Sequence, residues 1–464
     1  MAATSIALRA QCLCRFQTFT TTVPVDSLPL KGSYCHCTSC RHVTGALHSS
    51  DAEWPGPAKD IVAAIVDAAS GTGDNNNDGG KEEEEDEPPA VLRRYAHSPR
   101  VNVLFCSRCG SGMFFEEWES PEQKEEGQSP NYLVFTGVLS AEWADTNNGG
   151  DDNGTECLEV APLPPVVRIE DHIFVGDTVD GGASCWLRGM NGEGEPPTKI
   201  WLGRRYKSEE VPIGKRWPAI EDLLPYEADL KKKTTAAEGD VPIRCHCGGV
   251  DLVLRAGEAQ REFAEKQASG KEELPLFVDP VTHKLLGSVD ACDSCRTAFG
   301  TDVSLWTFAL LRHISFAAGG DSSSSSPSAG FPENTSQLWA AVKKKKKEGR
   351  DPRLGTIAAY ASSPDVQRYF CGHCSATLFY AVDQRPDMVD VAVGLLYAPD
   401  GARAERVISW SFVKKMGFRQ DMVGTWREGM LQAIEKEMEE WRIERQYPKS
   451  WRRVAQEERD ERLG

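Results

Sequence analysis

The chain has 464 residues, of which 40% are hydrophobic and 27% are charged, and its formal net charge is −17. This length allows two to four domains, and the apolar fraction fits a soluble globular protein. The negative charge argues against a nucleic-acid backbone as a partner, and the chain has no apolar run of about 18 residues that would predict a membrane span.

Thirteen of the fifteen cysteines fall into two sets that follow one another along the chain. In each set a CxC pair comes first, a CxCxxC or DxCxxC segment follows, and a CxxC pair comes last. The first set consists of Cys12, Cys14, Cys35, Cys37, Cys40, Cys106 and Cys109. The second set consists of Cys245, Cys247, Asp290, Cys292, Cys295, Cys371 and Cys374. Such spacing in a long chain without a recognisable signal peptide indicates metal binding rather than disulfides.

The residues around these cysteines also repeat. The stretch 95–109 resembles the stretch 360–374, and each matched position lies 265 residues after its counterpart. Internal similarity at a fixed spacing indicates two copies of one structural unit, with a boundary near the lysine run at 231–233. We therefore predict a first zinc domain at 5–190, a linker at 191–239, a second zinc domain at 240–415, and a C-terminal helix and tail at 416–464.

The segments beside the cysteines are short, apolar and bounded by Gly, Pro or Ser, which is typical of β-strands. Examples are 101–105, 132–135, 250–254 and 389–396. We therefore predict a mainly β fold in both domains. Three low-complexity insertions are predicted to be disordered loops, and they are Gly71–Pro89, Thr146–Thr155 and Gly319–Ser328.

The C-terminal region has a different pattern. Met430, Ile434, Met438 and Trp441 recur at helical spacing, with charged residues between them. This pattern predicts an amphipathic helix over 425–445 that packs on the second domain, with partner binding as the alternative. The charged tail that follows is expected to fray.

Two closely spaced pairs of thiolates can complete a tetrahedral zinc site. Pairing the first pair with the last pair in each set gives two four-cysteine sites, although spacing alone does not fix this pairing. A site closed by four protein ligands is expected to be structural and to stabilise its domain. The predicted ligands are Cys12, Cys14, Cys106 and Cys109 in the first copy, and Cys245, Cys247, Cys371 and Cys374 in the second.

The CHCTSCR segment at 35–41 provides three further thiolates. Three cysteines on one turn could hold a zinc ion and leave one coordination position open, as in a reactive rather than a structural zinc site. Arg41 could offset their negative charge or contact an anionic substrate. The alternatives are that His42 or His48 completes a structural site, or that the cysteines are simply reactive thiols.

The order CxC, CHCxxCR and FCxxCG resembles the glutathione-dependent formaldehyde-activating enzyme / centromere protein V family. The resemblance covers roughly 5–190 and again roughly 240–415. It implies a β-rich fold built around a structural zinc, and a carbon–sulfur lyase activity that condenses formaldehyde with glutathione to S-hydroxymethylglutathione. It also implies that Cys12, Cys14, Cys106 and Cys109 are structural ligands and that Cys35, Cys37 and Cys40 hold a catalytic zinc.

The second copy departs from this pattern, because Asp290 stands where Cys35 stands in the first copy. Asp290, Cys292 and Cys295 could form a weaker zinc site with one carboxylate ligand, and His283 could contribute to it. The alternative, which we favour, is a degenerate copy that acts as a scaffold.

Three functions are compatible with these residues. The first is a zinc-dependent carbon–sulfur lyase that forms or cleaves a thiol–aldehyde adduct, by default from glutathione and formaldehyde. The second is a non-catalytic zinc-binding interaction module, and the third is a metal or thiol redox sensor. The expected cofactors are zinc ions at two four-cysteine sites, at one open three-cysteine site and at a weak fourth site.

The expected setting is the reducing cytosol, with the nucleus as the alternative. We expect neither nucleic acid nor a membrane as a partner. The lysine run at 343–347 is predicted to be part of a solvated loop, with a basic patch as the alternative.

Overall fold

The computed structural model describes residues 4–65, 91–144, 162–192, 198–223, 239–317 and 330–463. The three predicted loop insertions and the lysine run at 231–233 lie outside these ranges. Within them the fold is β-rich, as predicted, with 22 strands in four sheets. No helix in this part of the chain is long and apolar enough to span a bilayer.

The first copy contains two sheets. Its strands are β1 (Ser5–Gln11), β2 (Thr18–Pro24), β3 (Leu30–Cys35), β4 (Ser49–Glu53), β5 (Leu92–Ser98), β6 (Val101–Cys106), β7 (Gly112–Glu117), β8 (Asn131–Phe135), β9 (Leu139–Trp143), β10 (Val167–Ile173), β11 (Lys199–Trp201) and β12 (Glu210–Val211). The small sheet has the order β2-β1-β9, and the large sheet has the order β12-β11-β10-β3-β4-β8-β7-β6-β5. Strand β10 runs parallel to β3 and β11, whereas the other neighbours are antiparallel.

The second copy also contains two sheets. Its strands are β13 (Asp240–Arg244), β14 (Asp251–Arg255), β15 (Leu285–Asp290), β16 (Ser304–Leu310), β17 (Ile314–Phe316), β18 (Ile357–Ser363), β19 (Val366–Cys371), β20 (Thr377–Val382), β21 (Met388–Ala392) and β22 (Ile408–Trp410). The small sheet has the order β13-β14-β17, and the large one has the order β18-β19-β20-β21-β16-β15-β22. The large sheet therefore repeats the order β5-β6-β7-β8-β4-β3-β10 of the first copy.

The strands form where the apolar residues alternate or cluster. In β1, Ile6, Leu8 and Ala10 are fully buried and alternate with more exposed residues, as expected for a strand with one face on the core. Strand β21 is buried at all five positions, because it lies inside the second large sheet.

Two short strands lie in the stretch that was predicted to be a linker. Strands β11 and β12 extend the first large sheet, because Ile200 and Val211 are buried together with Val175. Trp201 also donates a hydrogen bond from Nε1 to Oδ1 of Asp171 at 2.7 Å. This part of the chain is therefore packed onto the first copy.

The described helices are distributed over both copies and the C-terminus. They are α1 (Thr38–Thr44), α2 (Ala58–Ala64), α3 (Pro121–Glu125), α4 (Ala256–Ser269), α5 (Asp293–Phe299), α6 (Thr335–Lys343), α7 (Glu428–Glu444) and α8 (Trp451–Leu463). Helix α7 buries Met430, Ile434, Met438 and Trp441, so the predicted C-terminal amphipathic helix is confirmed. It was predicted to pack on the second domain, but it also contacts the first copy, where Arg188 pairs with Glu437 at 3.2 Å.

Helix α8 forms in the tail that was expected to fray. Arg453 is almost fully buried and donates to the backbone oxygen of Phe412 at 3.3 Å and to Glu439 on α7 at 3.2 Å. These tertiary contacts hold the first turns of α8 in place, although its sequence is highly charged.

The two copies meet through equivalent elements. Helix α1 ends at Gly45, whose carbonyl accepts a hydrogen bond from the amide of Gly394 at 2.8 Å. Helix α5 ends at Gly300, whose carbonyl accepts from the amide of Gly137 at 3.1 Å. Gly137 and Gly394 occupy matching 3₁₀ turns after β8 and β21. The contact is therefore approximately two-fold symmetric, although both partners belong to one chain.

Candidate metal centres

The structure brings the first and last cysteine pairs of each copy together. In both four-cysteine groups the sulfur atoms lie within 4.8 Å of one another. The Sγ atom of Cys14 lies 3.4 Å from that of Cys12 and 3.6 Å from that of Cys106. In a tetrahedral zinc site the sulfur atoms lie about 3.8 Å apart. The predicted pairing thus produces two groups with the spacing of a metal site.

The same local geometry positions the sulfurs in both copies. The CxC turn follows β1 or β13, and the CxxC turn joins β6 to β7 or β19 to β20. The amide of Gln17 donates to Sγ of Cys12 at 3.3 Å, and that of Val250 donates to Sγ of Cys245 at 3.3 Å. Amide donors favour the thiolate form that a metal requires. The described cysteines are all free thiols, so these residues are suited to bind a metal ion.

The third group is incomplete. Cys35 is the last residue of β3, Cys37 caps α1, and Cys40 lies in the first turn of this helix, where its amide donates to Sγ of Cys37 at 3.3 Å. The three sulfur atoms lie within 4.8 Å of one another, and no fourth His, Cys, Asp or Glu of the described residues joins them. The group therefore offers three ligands for a metal ion rather than four.

The two histidines considered as a fourth ligand have other surroundings. His42 makes a hydrogen bond through Nδ1 to the backbone oxygen of Arg244 in the second copy, at 2.8 Å. His48 is fully buried, and its ring packs against those of Tyr34 and His36. Neither belongs to the three-cysteine group.

One histidine that was not predicted does approach this group. Nε2 of His97 on β5 lies 3.9 Å from Sγ of Cys40. The His97 ring lies 4.6 Å from that of His246, which stands between two cysteines of the second copy. His246 in turn bonds through Nδ1 to the hydroxyl of Tyr95 at 2.7 Å. The second copy therefore forms one wall of the three-cysteine site.

The protonation states at this wall follow from burial. Burial lowers the pKa of His97 to about 4 and also lowers the pKa of His246. Both imidazoles are consequently neutral at pH 7, so each can donate one hydrogen bond and accept another.

Without a cation, the three thiols compete for a single negative charge. Hydrogen bonds from Cys35 and Cys40 lower the pKa of Cys37 to about 2. Hydrogen bonds with Cys37 and Cys40 in turn raise the pKa of Cys35 well above its ordinary value. A divalent cation would allow all three to ionise, so metal binding at this group releases protons.

Arg41 is buried beside the three cysteines. Its Nη2 donates to Oγ1 of Thr38 at 3.1 Å. Burial lowers the pKa of Arg41, and the carboxylates of Asp180 and Asp177 oppose this shift. Asp177 also accepts a hydrogen bond from the amide of Thr38. The charge of Arg41 is thus balanced within the protein, and its contact with a substrate anion stays a prediction.

The equivalent residues of the second copy are arranged differently. Asp290 accepts a hydrogen bond from Ser288 at 2.9 Å, and Cys295 faces the guanidinium group of Arg368. Asp290, Cys292 and Cys295 do not form a ligand group among the described residues. His283 bonds through Nε2 to Gln267 at 2.6 Å.

The repeat itself contained a signal for the residues that were missed. The first copy reads YAHSP at 95–99, whereas the second reads YASSP at 360–364. The histidine is therefore absent from the copy that also lacks the first cysteine of the triad. This joint difference singles out His97 as a residue of the three-cysteine site.

Comparison of the chain with protein-family models, with curated proteins and with solved structures found no match. The resemblance to the formaldehyde-activating enzyme family therefore depends on the order of the cysteines. The structure adds two complete groups and one incomplete group of thiols that could hold metal ions.

Proposed function

We propose that the first copy binds zinc at Cys35, Cys37 and Cys40 and uses it to form or cleave the carbon–sulfur bond of a thiol–aldehyde adduct. Formaldehyde and glutathione are the default reactants, by resemblance. The observation that carries the proposal is the contrast between the groups, because two have four sulfurs and this one has three. Only an incomplete set leaves a coordination position for a substrate.

The zinc, when bound, would lower the pKa of a substrate thiol and so supply a thiolate nucleophile at neutral pH. The two four-cysteine groups would hold structural zinc. They fix the CxC turns, and the turn of the second copy carries His246 into the wall of the three-cysteine site.

The side chains around the three cysteines can assist the transfer of the thiol proton to the aldehyde oxygen. In the condensation the sulfur–hydrogen bond of the thiol is lost, a carbon–sulfur bond forms, and the proton ends on the former aldehyde oxygen. His97 is neutral at pH 7 and presents Nε2 close to Cys40. It can therefore hold the hydroxyl oxygen of the adduct through a hydrogen bond. The ring of His246 packs against that of His97, and Tyr95 holds His246 through a hydrogen bond.

The test is NMR exchange between the glutathione–formaldehyde adduct and its free reactants, with the spontaneous exchange subtracted. Zinc-loaded protein is expected to accelerate the exchange. The variant Cys35→Ser should abolish the acceleration, because it removes one of the three thiolates that would hold the zinc. The matched control is Cys292→Ser in the second copy, which should retain the full rate.

Absence of acceleration by protein with three bound zinc ions would overturn the proposal for these reactants. Other small thiols and aldehydes would then be compared in the same assay. Failure with every adduct would favour the non-catalytic zinc-binding module instead.

A further inference from the structure

A cation of the protein itself occupies the cysteine site of the second copy. Arg368 on β19 is 4% exposed, and its Nη1 and Nη2 atoms lie 3.6 and 3.7 Å from Sγ of Cys295. Nη2 also donates to Oγ of Ser294 at 2.8 Å. The guanidinium group therefore lies against Cys295, where a metal would otherwise supply the positive charge.

A comparison of matched positions in the two copies shows which residues Arg368 and its partner Ser362 correspond to. Arg368 corresponds to Val103, because Arg368 pairs with Tyr360 as Val103 pairs with Tyr95. Nε of Arg368 donates to Oγ of Ser362 at 3.1 Å. Ser362 is the counterpart of His97. In the second copy, an arginine thus spans the space that lies between His97 and Cys40 in the first.

The position of the first cysteine of the triad is also altered in the second copy, where it is Asp290. The carboxylate of Asp290 is held by Ser288, and Asp290 and the two cysteines do not form a ligand group in the described part of the chain. The second site therefore has two sulfurs with the guanidinium group of Arg368 against Cys295, whereas the first has three sulfurs and a valine, Val103, at the position that corresponds to Arg368.

Cys292 and Cys295 have the arrangement of a dithiol pair. Cys292 is partly exposed and caps α5, whereas Cys295 is buried in the first turn of this helix. The turn is closed by the amide of Arg296, which donates to the carbonyl of Cys292 at 2.9 Å. The same turn in the first copy holds Cys37 and Cys40 within 4.8 Å. A CxxC pair with a nearby cation is typical of thiols that exchange with disulfides.

We propose that Cys292 and Cys295 form a metal-free dithiol site, with Arg368 as its permanent counter-cation, that reacts with low-molecular-weight disulfides. The thiolate of Cys292 attacks one sulfur of the disulfide, which forms a mixed disulfide and releases one thiolate. Cys295 then transfers its proton to that thiolate and attacks Cys292, which closes the intramolecular disulfide. The second thiolate leaves and takes up a proton from water. The protein dithiol loses two electrons, and the small disulfide gains them as it becomes two thiols.

This site goes beyond the proposed lyase function and does not require it. The test treats the zinc-loaded full-length protein with oxidised glutathione and maps the products by peptide mass spectrometry. We expect a Cys292–Cys295 disulfide while the bound zinc is retained. The variant Cys295→Ser should instead trap a glutathione mixed disulfide on Cys292, because the second step is blocked.

The role of Arg368 is tested with Arg368→Gln, which should slow the closure of the Cys292–Cys295 disulfide several-fold, because the cation that lies against Cys295 is lost. The matched control is Arg312→Gln, since Arg312 makes an exposed ion pair with Glu262; it should leave the rate unchanged. The proposal is overturned if Cys292 stays unmodified, or if a fourth zinc binds and protects it. An unchanged rate in Arg368→Gln would equally overturn the assigned role of the arginine.

Discussion

Three histidines of the first copy are buried together without charge. His36, His48 and His172 are almost inaccessible to solvent, and Nε2 of His36 lies 2.9 Å from Nδ1 of His172. Burial lowers the pKa of His48 to about 4 and that of His172 to about 3. In the unfolded chain the pKa of a histidine is about 6.5. The folded state therefore binds fewer protons than the unfolded state below that pH.

This difference predicts the direction of a pH effect. The contribution of these histidines to the free energy of unfolding should decrease as the pH falls from about 6.5 to about 4, because protons bound by them then favour the unfolded chain. The variant His48→Val should reduce this pH-dependent change in the free energy of unfolding by roughly 3 kcal/mol at most. Valine is chosen because Val303 occupies the equivalent position in the second copy. Urea unfolding at a series of pH values measures the slope. Parallel curves for wild type and His48→Val would contradict the prediction.

For individual residues, the sequence predicted which cysteines converge better than it predicted the side chains around them. The CxC and CxxC spacings indicate which thiols can converge, since closely spaced cysteines share a turn. His97 on β5 and Arg368 on β19 come from strands that are not neighbours of β3 or β15, which lead into the cysteines, so nothing close to them in the chain marks their position. His36 lies between two of these cysteines in the sequence, yet it is fully buried and its ring packs against those of His48 and His172.

The helix ends between the two copies depend on close backbone contact. A Cβ atom at Gly394 would lie 2.0 Å from the carbonyl oxygen of Ala46 and 2.5 Å from that of Gly45. Both neighbours are backbone atoms at the end of α1, and they cannot rotate away. Helix α1 carries Cys40, so this contact also fixes the three-cysteine site.

The variant Gly394→Ala should therefore destabilise the protein by about 1–3 kcal/mol or more, because the added methyl group forces α1 and the 3₁₀ turn apart. It should also weaken zinc binding at the three-cysteine site. Urea denaturation and zinc titration measure the two effects. Gly330→Ala is the control, since a Cβ atom there meets nothing within 4 Å. Equal midpoints for the two variants would show that the contact is not tight.

Elements with a strong apolar pattern were predictable, and those stabilised by distant contacts were not. The strands around 101–105 and 132–135 and the C-terminal helix agree with the structure. Helix α4 was missed, because its pattern is weak and only four of its residues are buried, namely Ala256, Gly257, Ala259 and Phe263. Strands β11 and β12 are only three and two residues long, too short to show a period.

At the scale of the whole molecule, the copies share a buried polar network. Asp302 of the second copy accepts hydrogen bonds from Tyr34 at 2.9 Å and Thr136 at 2.6 Å, both in the first copy. Arg427 donates to the same carboxylate at 3.1 Å and to the carbonyl of Leu139 at 2.9 Å. Burial favours the neutral acid, but the charge of Arg427 and the hydrogen bonds from Thr136 and Arg427 together outweigh it, and the pKa of Asp302 is lowered. Separation of the copies would remove the hydrogen bonds that Tyr34 and Thr136 donate to Asp302 and the one that Arg427 donates to Leu139.

We therefore expect that residues 1–238 do not fold when expressed alone, because the faces of α1 and β8 and the hydroxyl groups of this network lose their partners. NMR dispersion and bound zinc measure the outcome. Co-expression with residues 239–464 is the control and should restore a folded complex. A dispersed spectrum with two zinc ions for the isolated fragment would contradict the expectation.

The paired contacts of Gly45 with Gly394 and of Gly300 with Gly137 have one further consequence. A dimer of two separate chains dissociates on dilution, whereas covalently linked partners meet at a constant local concentration. A symmetric dimer also repeats every substitution on both sides. Neither constraint applies to two copies in one chain. The second copy can therefore have Asp290 in place of a cysteine and Arg368 beside Cys295, while the first copy has its three thiols.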